Sequence, residues 1–214
     1  MAATTLRVGL TGNIGAGKST VAGLLDGPGF MIIDADRLGH MVLEEDEARD
    51  QIATQLGTGI LDATGRIDRR LLGQLVFGDP AARKQLEAIV HPRIRAAEAA
   101  RVDAWGMREG VAITEAALLV ETGGRDRYHR LVVVSAPARA RIARLAARGM
   151  SKTDVEQRMA AQMPDADKAA TADYLVDNGG SPAETAAQVA TTRVHLLEDL
   201  RALCAGLSLP SRRQ

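Results

Sequence analysis

The sequence is poor in most of the features that specialise a protein surface. Aromatic side chains make up 2% of its 214 residues, which removes the stacking platforms that single-strand nucleic-acid binders use. Lys plus Arg and Asp plus Glu both number 27, so no global basic field exists to hold a phosphate backbone and no nucleic-acid partner is expected. Any electropositive surface must be local. The one cysteine, Cys204, excludes an internal disulfide framework and a multi-cysteine zinc site; it suits a reducing compartment and reads as a small apolar residue of a helix. No apolar run approaches the length of a membrane span, and the first ten residues lead into a strand rather than a signal-type segment. The chain is therefore expected to be soluble, cytoplasmic and unprocessed, with no membrane partner. Internal repeats are missing too, and the length suits one α/β domain with room for one inserted subdomain.

One stretch organises the rest. The apolar run Leu6 to Leu10 leads into Thr11-Gly12-Asn13-Ile14-Gly15-Ala16-Gly17-Lys18-Ser19-Thr20, and the apolar-patterned Val21 to Leu25 follows. Strand, glycine-rich turn and helix in that order are the context in which G-x-x-x-x-G-K-[ST] cradles a phosphate. Gly12, Gly15 and Gly17 allow positive-φ turns, and the helix behind them offers its unpaired first N–H groups and the positive end of its dipole. Lys18 adds a charge near the β- and γ-phosphates, and Ser19 faces the Mg²⁺ that bridges them. The stretch reads as an ATP site.

Phe30 to Ile33 reads as a second buried strand, ending in Asp34-Ala35-Asp36. Ligands of open α/β sheets sit outside the carboxyl ends of the strands, and alternation points Asp34 and Asp36 the same way if the strand extends that far. One carboxylate there can take the proton of an attacking hydroxyl and the other can hold a magnesium-bound water or a sugar. The bland alternative makes Asp36 the N-cap of a helix from Arg37 to Glu45. Asp68 and Asp79-Pro80 start two further helices, the second interrupted at His91-Pro92, where proline should kink or restart it and expose His91 at a bend. Val111 to Thr114 is the next strand, and Glu115 at its end can serve a magnesium shell. Leu131 to Val134 is another; Arg141, Arg144 and Arg148 then lie at helical spacing on one side, either a solvated face or a cover for the transferring phosphoryl. Tyr174 to Val176 is a last strand, Ser181-Pro182-Ala183-Glu184 starts a final helix to about Cys204, and the tail from Gly206 is expected to fray. Alternating strands and helices make the fold α/β, with a parallel sheet flanked by helices.

The P-loop, Ile33-Asp34-Ala35-Asp36, Gly65-Arg66-Ile67-Asp68-Arg69, Val76-Phe77, Leu86 to Pro92, Leu118 to Glu121, Arg144-Leu145 with Arg148, Gln162, Lys168 and Ala172-Asp173 through Asp177-Asn178 together resemble the dephospho-coenzyme A kinase family. The likeness covers nearly the whole chain. It implies a three-layer P-loop kinase fold with a helical substrate-binding subdomain and an arginine-bearing lid. The core would be residues 1–36, 106–137 and 163–205, the substrate-binding region 36–105 and the lid 138–162. It implies ATP, Mg²⁺ and dephospho-coenzyme A as reaction partners, in a monomer or small homo-oligomer. By the same resemblance Asp36 is the base for the ribose 3′-hydroxyl, and Lys18 and Arg144 stabilise the transferred phosphoryl. Residues Gly12 to Thr20, Arg148 and Asn178 bind ATP; Asp34, Asp36, His91, Arg93 and Leu118 bind the acceptor; Ser19 and Glu115 attend the metal, Glu115 through water. The chain departs from the family pattern at Glu115-Ala116-Ala117, where Asp-x-Pro is usual, at Arg141, where a glutamine is usual, and at Asn13, commonly glycine.

Overall fold

The computed structural model describes residues 4–106 and 109–212; residues 1–3, 107 and 108, parts of the expected core stretches, lie outside the described residues. The described chain forms two compact units, one from the residues up to Asp34 and from Gly106 onward, the other Ala35–Trp105.

The first unit is built on a parallel sheet. Its strands β1 (Thr4–Thr11), β2 (Phe30–Asp34), β3 (Glu109–Glu115), β4 (Arg130–Ser135) and β5 (Tyr174–Asp177) stand in the order β2-β3-β1-β4-β5 among the described residues. A parallel sheet covered on both faces needs apolar side chains on both, so its strands read as near-continuous apolar runs. Leu6, Val8 and Leu10 of β1 point to one face and pack with Val21 and Leu25 of α1 (Lys18–Leu25) and Val189, Leu196 and Leu200 of α9 (Pro182–Cys204). On the other face Leu131 and Val133 pack with Leu119, Tyr128 and Ala172. The P-loop strand is thus the central one, with its carboxyl end between those of β3 and β4. Helices α6 (Ala138–Ala147) and α7 (Lys152–Ala160), which cover most of the 138–162 stretch, belong to this unit together with α8 (Asp165–Ala170).

The second unit is helical: α2 (Ala35–Glu44), α3 (Asp46–Leu56), α4 (Arg69–Gly78) and α5 (Pro80–Trp105) close around Ile52, Ile60, Leu72 and Ile89. Local capping chemistry sets two of the starts. The Asp68 carboxylate accepts from the N–H groups of Arg70 and Leu71 at 2.8 and 3.1 Å, and Asp79 accepts from those of Ala81 and Ala82 at 2.8 and 3.2 Å.

Several expectations need correction. β2 stops at Asp34 and α2 begins at once with Ala35, so Asp36 lies in the first helical turn, neither on the strand beside Asp34 nor at an N-cap. The alternation argument therefore does not connect the two carboxylates. Pro92 neither ends nor restarts α5, which runs unbroken through it, and His91 is half-buried. The Arg93 guanidinium donates to the Ile89 carbonyl at 3.1 Å, supporting the turn beside the proline. Helices α3 and α8 have no counterpart in the sequence reading.

The tail is not frayed up to Arg212. Arg130, buried at the start of β4, donates to the Pro210 carbonyl at 2.6 Å, and Arg212 pairs with Glu198 at 2.7 Å. Both arginines converge on Asp199 of α9, which is fully buried and accepts from Arg130 Nε at 2.6 Å and the Tyr174 hydroxyl at 2.5 Å. Burial alone would push the Asp199 carboxyl up; the bonds from Arg130 and Tyr174 outweigh it and hold it below the usual carboxylate range. Burial and its bond to Asp199 push the Tyr174 hydroxyl up. A carboxyl depressed by folding contributes stability that is fully present above its unfolded value, about 3.9, and is lost as pH falls toward the folded one. Asp199→Asn should cost about 3 kcal/mol at neutral pH, because it leaves the buried Arg130 without its counter-charge. Thermal denaturation from pH 7 down to pH 2 should show the wild-type advantage shrinking below about pH 4; a gap that stays constant with pH would count against this account.

Candidate active site

The loop between β1 and α1 is shaped by close approaches that only glycine permits. Gly15 and Gly17 have φ of 77° and 97°, in the left-handed region. A Cβ on Gly17 would collide with the Asn178 amide, and one on Gly15 would lie 2.9 Å from the Arg141 carbonyl. Behind the loop, α1 starts at Lys18 with first-turn N–H groups that no earlier helical carbonyl can accept from. The Lys18 ammonium donates to the Gly12 carbonyl at 3.2 Å, which arches the side chain back over the loop. Concentrated N–H groups, a helix N-terminus and a lysine together form an anion cradle.

Beside it, the Ser19 hydroxyl donates to Glu115 Oε1 at 3.3 Å. Glu115 closes β3, and its Cα is in register with Leu10 of β1 and Asp34 of β2, so two carboxylate residues end neighbouring strands next to the cradle. Hydroxyl and carboxylate oxygens are hard donors of the kind Mg²⁺ takes when phosphate and water oxygens complete its shell. No group of three or more His, Cys, Asp or Glu is arranged to hold a metal among the described residues.

The outer side of the loop is gripped by later segments. Arg144 of α6 donates through Nη1 to the carbonyls of Gly15 and Ala16 at 3.3 and 3.2 Å and through Nη2 to the Asn178 carbonyl at 2.6 Å. Asn178, buried just past β5, donates to the Ala16 carbonyl at 2.8 Å and accepts from Thr185 at 3.0 Å. Arg141 is buried rather than part of a solvated face, and pairs with Asp165 at 2.6 Å. Arg148, at the C-terminal end of α6, is exposed. Asn13 is buried as well and bonds Asp165 and the Met163 carbonyl.

The remaining residues are distributed over the two units. Leu118 is exposed on the turn after β3. That turn is held from below by Lys168, almost fully buried, which pairs with Glu121 at 2.7 Å and donates to the Ala117 carbonyl at 3.1 Å. In the helical unit, Asp36 is exposed in the first turn of α2. Arg93 lies 3.8 and 3.6 Å from Glu45 and Glu47, so this expected substrate residue already joins α5 to the start of α3. Gln162, Asp165 and Lys168, which sequence reasoning gave no local role, help to fix the loop and the turn.

The family model described as dephospho-CoA kinase matches residues 6–184. A dephospho-CoA kinase of Geobacter sulfurreducens is 44% identical over 181 residues, covering 83% of this chain and 91% of that protein. One of Aquifex aeolicus is 41% identical over 200 residues, covering 90% and 98%. Among solved structures, TT1252 from Thermus thermophilus superposes with a TM-score of 0.78 at 34% identity, covering 96% of this chain and 99% of that one.

Proposed function

The chain belongs to the dephospho-CoA kinase family, and from that membership we propose that it transfers the γ-phosphoryl group of ATP to the ribose 3′-hydroxyl of dephospho-CoA, giving coenzyme A and ADP as the final step of coenzyme A synthesis. The observation that carries the reading is the P-loop with Ser19 and Glu115 joined at its mouth. Lys18 and the loop N–H groups hold the phosphates and spread the charge that builds up as the bond to the β-phosphate oxygen breaks. Asp36 takes the proton of the 3′-hydroxyl as its oxygen bonds to phosphorus. Arg144 stabilises the transferred phosphoryl, and Arg148 and Asn178 complete the nucleotide site.

Residues 36–105, with His91 and Arg93, supply the acceptor side together with Asp34 and Leu118; residues 138–162 act as the lid. Ser19 and, through water, Glu115 are the residues that would hold Mg²⁺, which when bound supplies charge neutralisation between the β- and γ-phosphates. The reading places the enzyme in the cytoplasm. Its test is ADP release by purified protein with ATP and magnesium. Release should depend on dephospho-CoA and yield coenzyme A; release with another small alcohol but none with dephospho-CoA would sink it.

A further inference from the structure

The P-loop grips its ligand with backbone groups, so its shape has to be held by something other than the ligand. Its apex is tied to the segment between α7 and α8, about 150 residues later in the chain. Gln162 Oε1 accepts from the Ile14 N–H at 2.8 Å. Asn13 Nδ2 donates to the Met163 carbonyl at 2.9 Å and to Asp165 Oδ1 at 2.6 Å. The other Asp165 oxygen accepts from Arg141 at 2.6 Å, and Arg141 also reaches the Ile14 carbonyl at 3.5 Å. Asn13 and Arg141 are 5% and 3% exposed. The segment itself has an anchor, since the Met163 N–H donates to Glu121 at 3.2 Å and Glu121 is paired with the buried Lys168.

We propose that Gln162, with the Asn13–Asp165–Arg141 cluster behind it, is a latch that positions the P-loop and sets ATP affinity. Both backbone groups of Ile14, N–H and carbonyl, are taken up by the latch. The peptide planes at Ile14 are thereby fixed, and with them the direction from which the chain enters Gly15 to Lys18. Without the latch the loop samples other turns, and ATP must select the competent one; apparent affinity falls by the fraction competent. The latch touches no reacting atom, so its members are positioning residues. They act on the grip of the nucleotide in ground state and transition state alike, and the effect belongs in KM rather than kcat.

The inference rests on the P-loop being the ATP site of the proposed kinase, so ATP binding is measured directly, by calorimetric titration, beside steady-state turnover. Gln162→Met keeps the length and removes the acceptor; Gln162→Glu keeps an acceptor oxygen. Gln162→Met should raise both the ATP Kd and the ATP KM about tenfold, with kcat within about threefold and the dephospho-CoA KM unchanged. Gln162→Glu should stay within about threefold of wild type. Asn13→Ala weakens ATP binding on its own, and combined with Gln162→Met it should add much less than its separate factor, because one latch is already open. The latch is overturned if Gln162→Met and Gln162→Glu behave alike, if the ATP Kd is unmoved while only the melting temperature drops, or if the two factors multiply in full. A wild-type protein that binds ATP yet does not phosphorylate dephospho-CoA sinks the kinase reading instead, and the Kd comparison still decides the latch.

Discussion

Replacing Asp36 by asparagine is expected to lower kcat about a thousandfold while the protein stays folded and the ATP KM stays within about threefold. The substitution keeps shape and hydrogen-bonding capacity and removes the ability to accept a proton. Asp36 is exposed in the first turn of α2, so no large change in stability is expected. Asp34 is the natural control. It closes β2 in register with Glu115, two residues earlier in the chain. Asp34→Asn should raise the acceptor KM and keep kcat within about tenfold. If the larger loss falls on Asp34, the base is at the strand end and Asp36 is a binding residue.

Lys18→Met should cost about two to three orders of magnitude in kcat, the usual effect of removing one preorganised charge from a developing anion. In the resting structure Lys18 is held at the Gly12 carbonyl, 3.2 Å away, so its ammonium is stationed over the loop before any phosphate arrives. Methionine fills the same volume without charge, and melting temperature should change by no more than a few degrees. Lys18→Arg is informative beside it: a forked guanidinium cannot reproduce a compact point charge over a tight loop, so rescue should be poor. Rapid-quench measurement of a single turnover would separate chemistry from product release. A variant whose single-turnover rate matched the wild type would remove Lys18 from the chemical step.

What the sequence disclosed follows the range of the interactions involved. The P-loop was readable because its requirements are met within nine residues, and the starts of α4, α5 and α9 because a cap is settled by residues no more than three apart. Ser19 and Glu115 were each readable from their place at the end of an element. The grip on the outer side of the loop was not, since Gln162 and Asp165 meet it across sequence separations of 148 and 152. Arg141 reads as a surface residue from its neighbours and is buried because Asp165 is there to receive it. The boundary at Asp34 was misjudged for a related reason. Two carboxylates two residues apart fit strand alternation as well as helix entry, and only the fold decides. The tail was misread because the partners that hold it, Arg130, Glu198 and Asp199, give no sign in the tail's own composition.

The position of β1 bears on how a ribosome must deliver this chain. Among the described strands β1 precedes the others, yet both of its sheet neighbours, β3 and β4, begin only at Glu109 and Arg130. Until then its backbone edges have neither of these strands to pair with, and the face carrying Leu6, Val8 and Leu10 still lacks α9 to pack against. In the interval the contiguous Ala35–Trp105 segment is synthesised complete, and its helices need only one another to bury Ile52, Leu72 and Ile89. At typical elongation rates β1 waits on the order of ten seconds for β3 and β4. An apolar strand with open edges for that long is a hazard for self-association. The nascent chain should therefore be most dependent on chaperone protection between the appearance of β1 and that of β4.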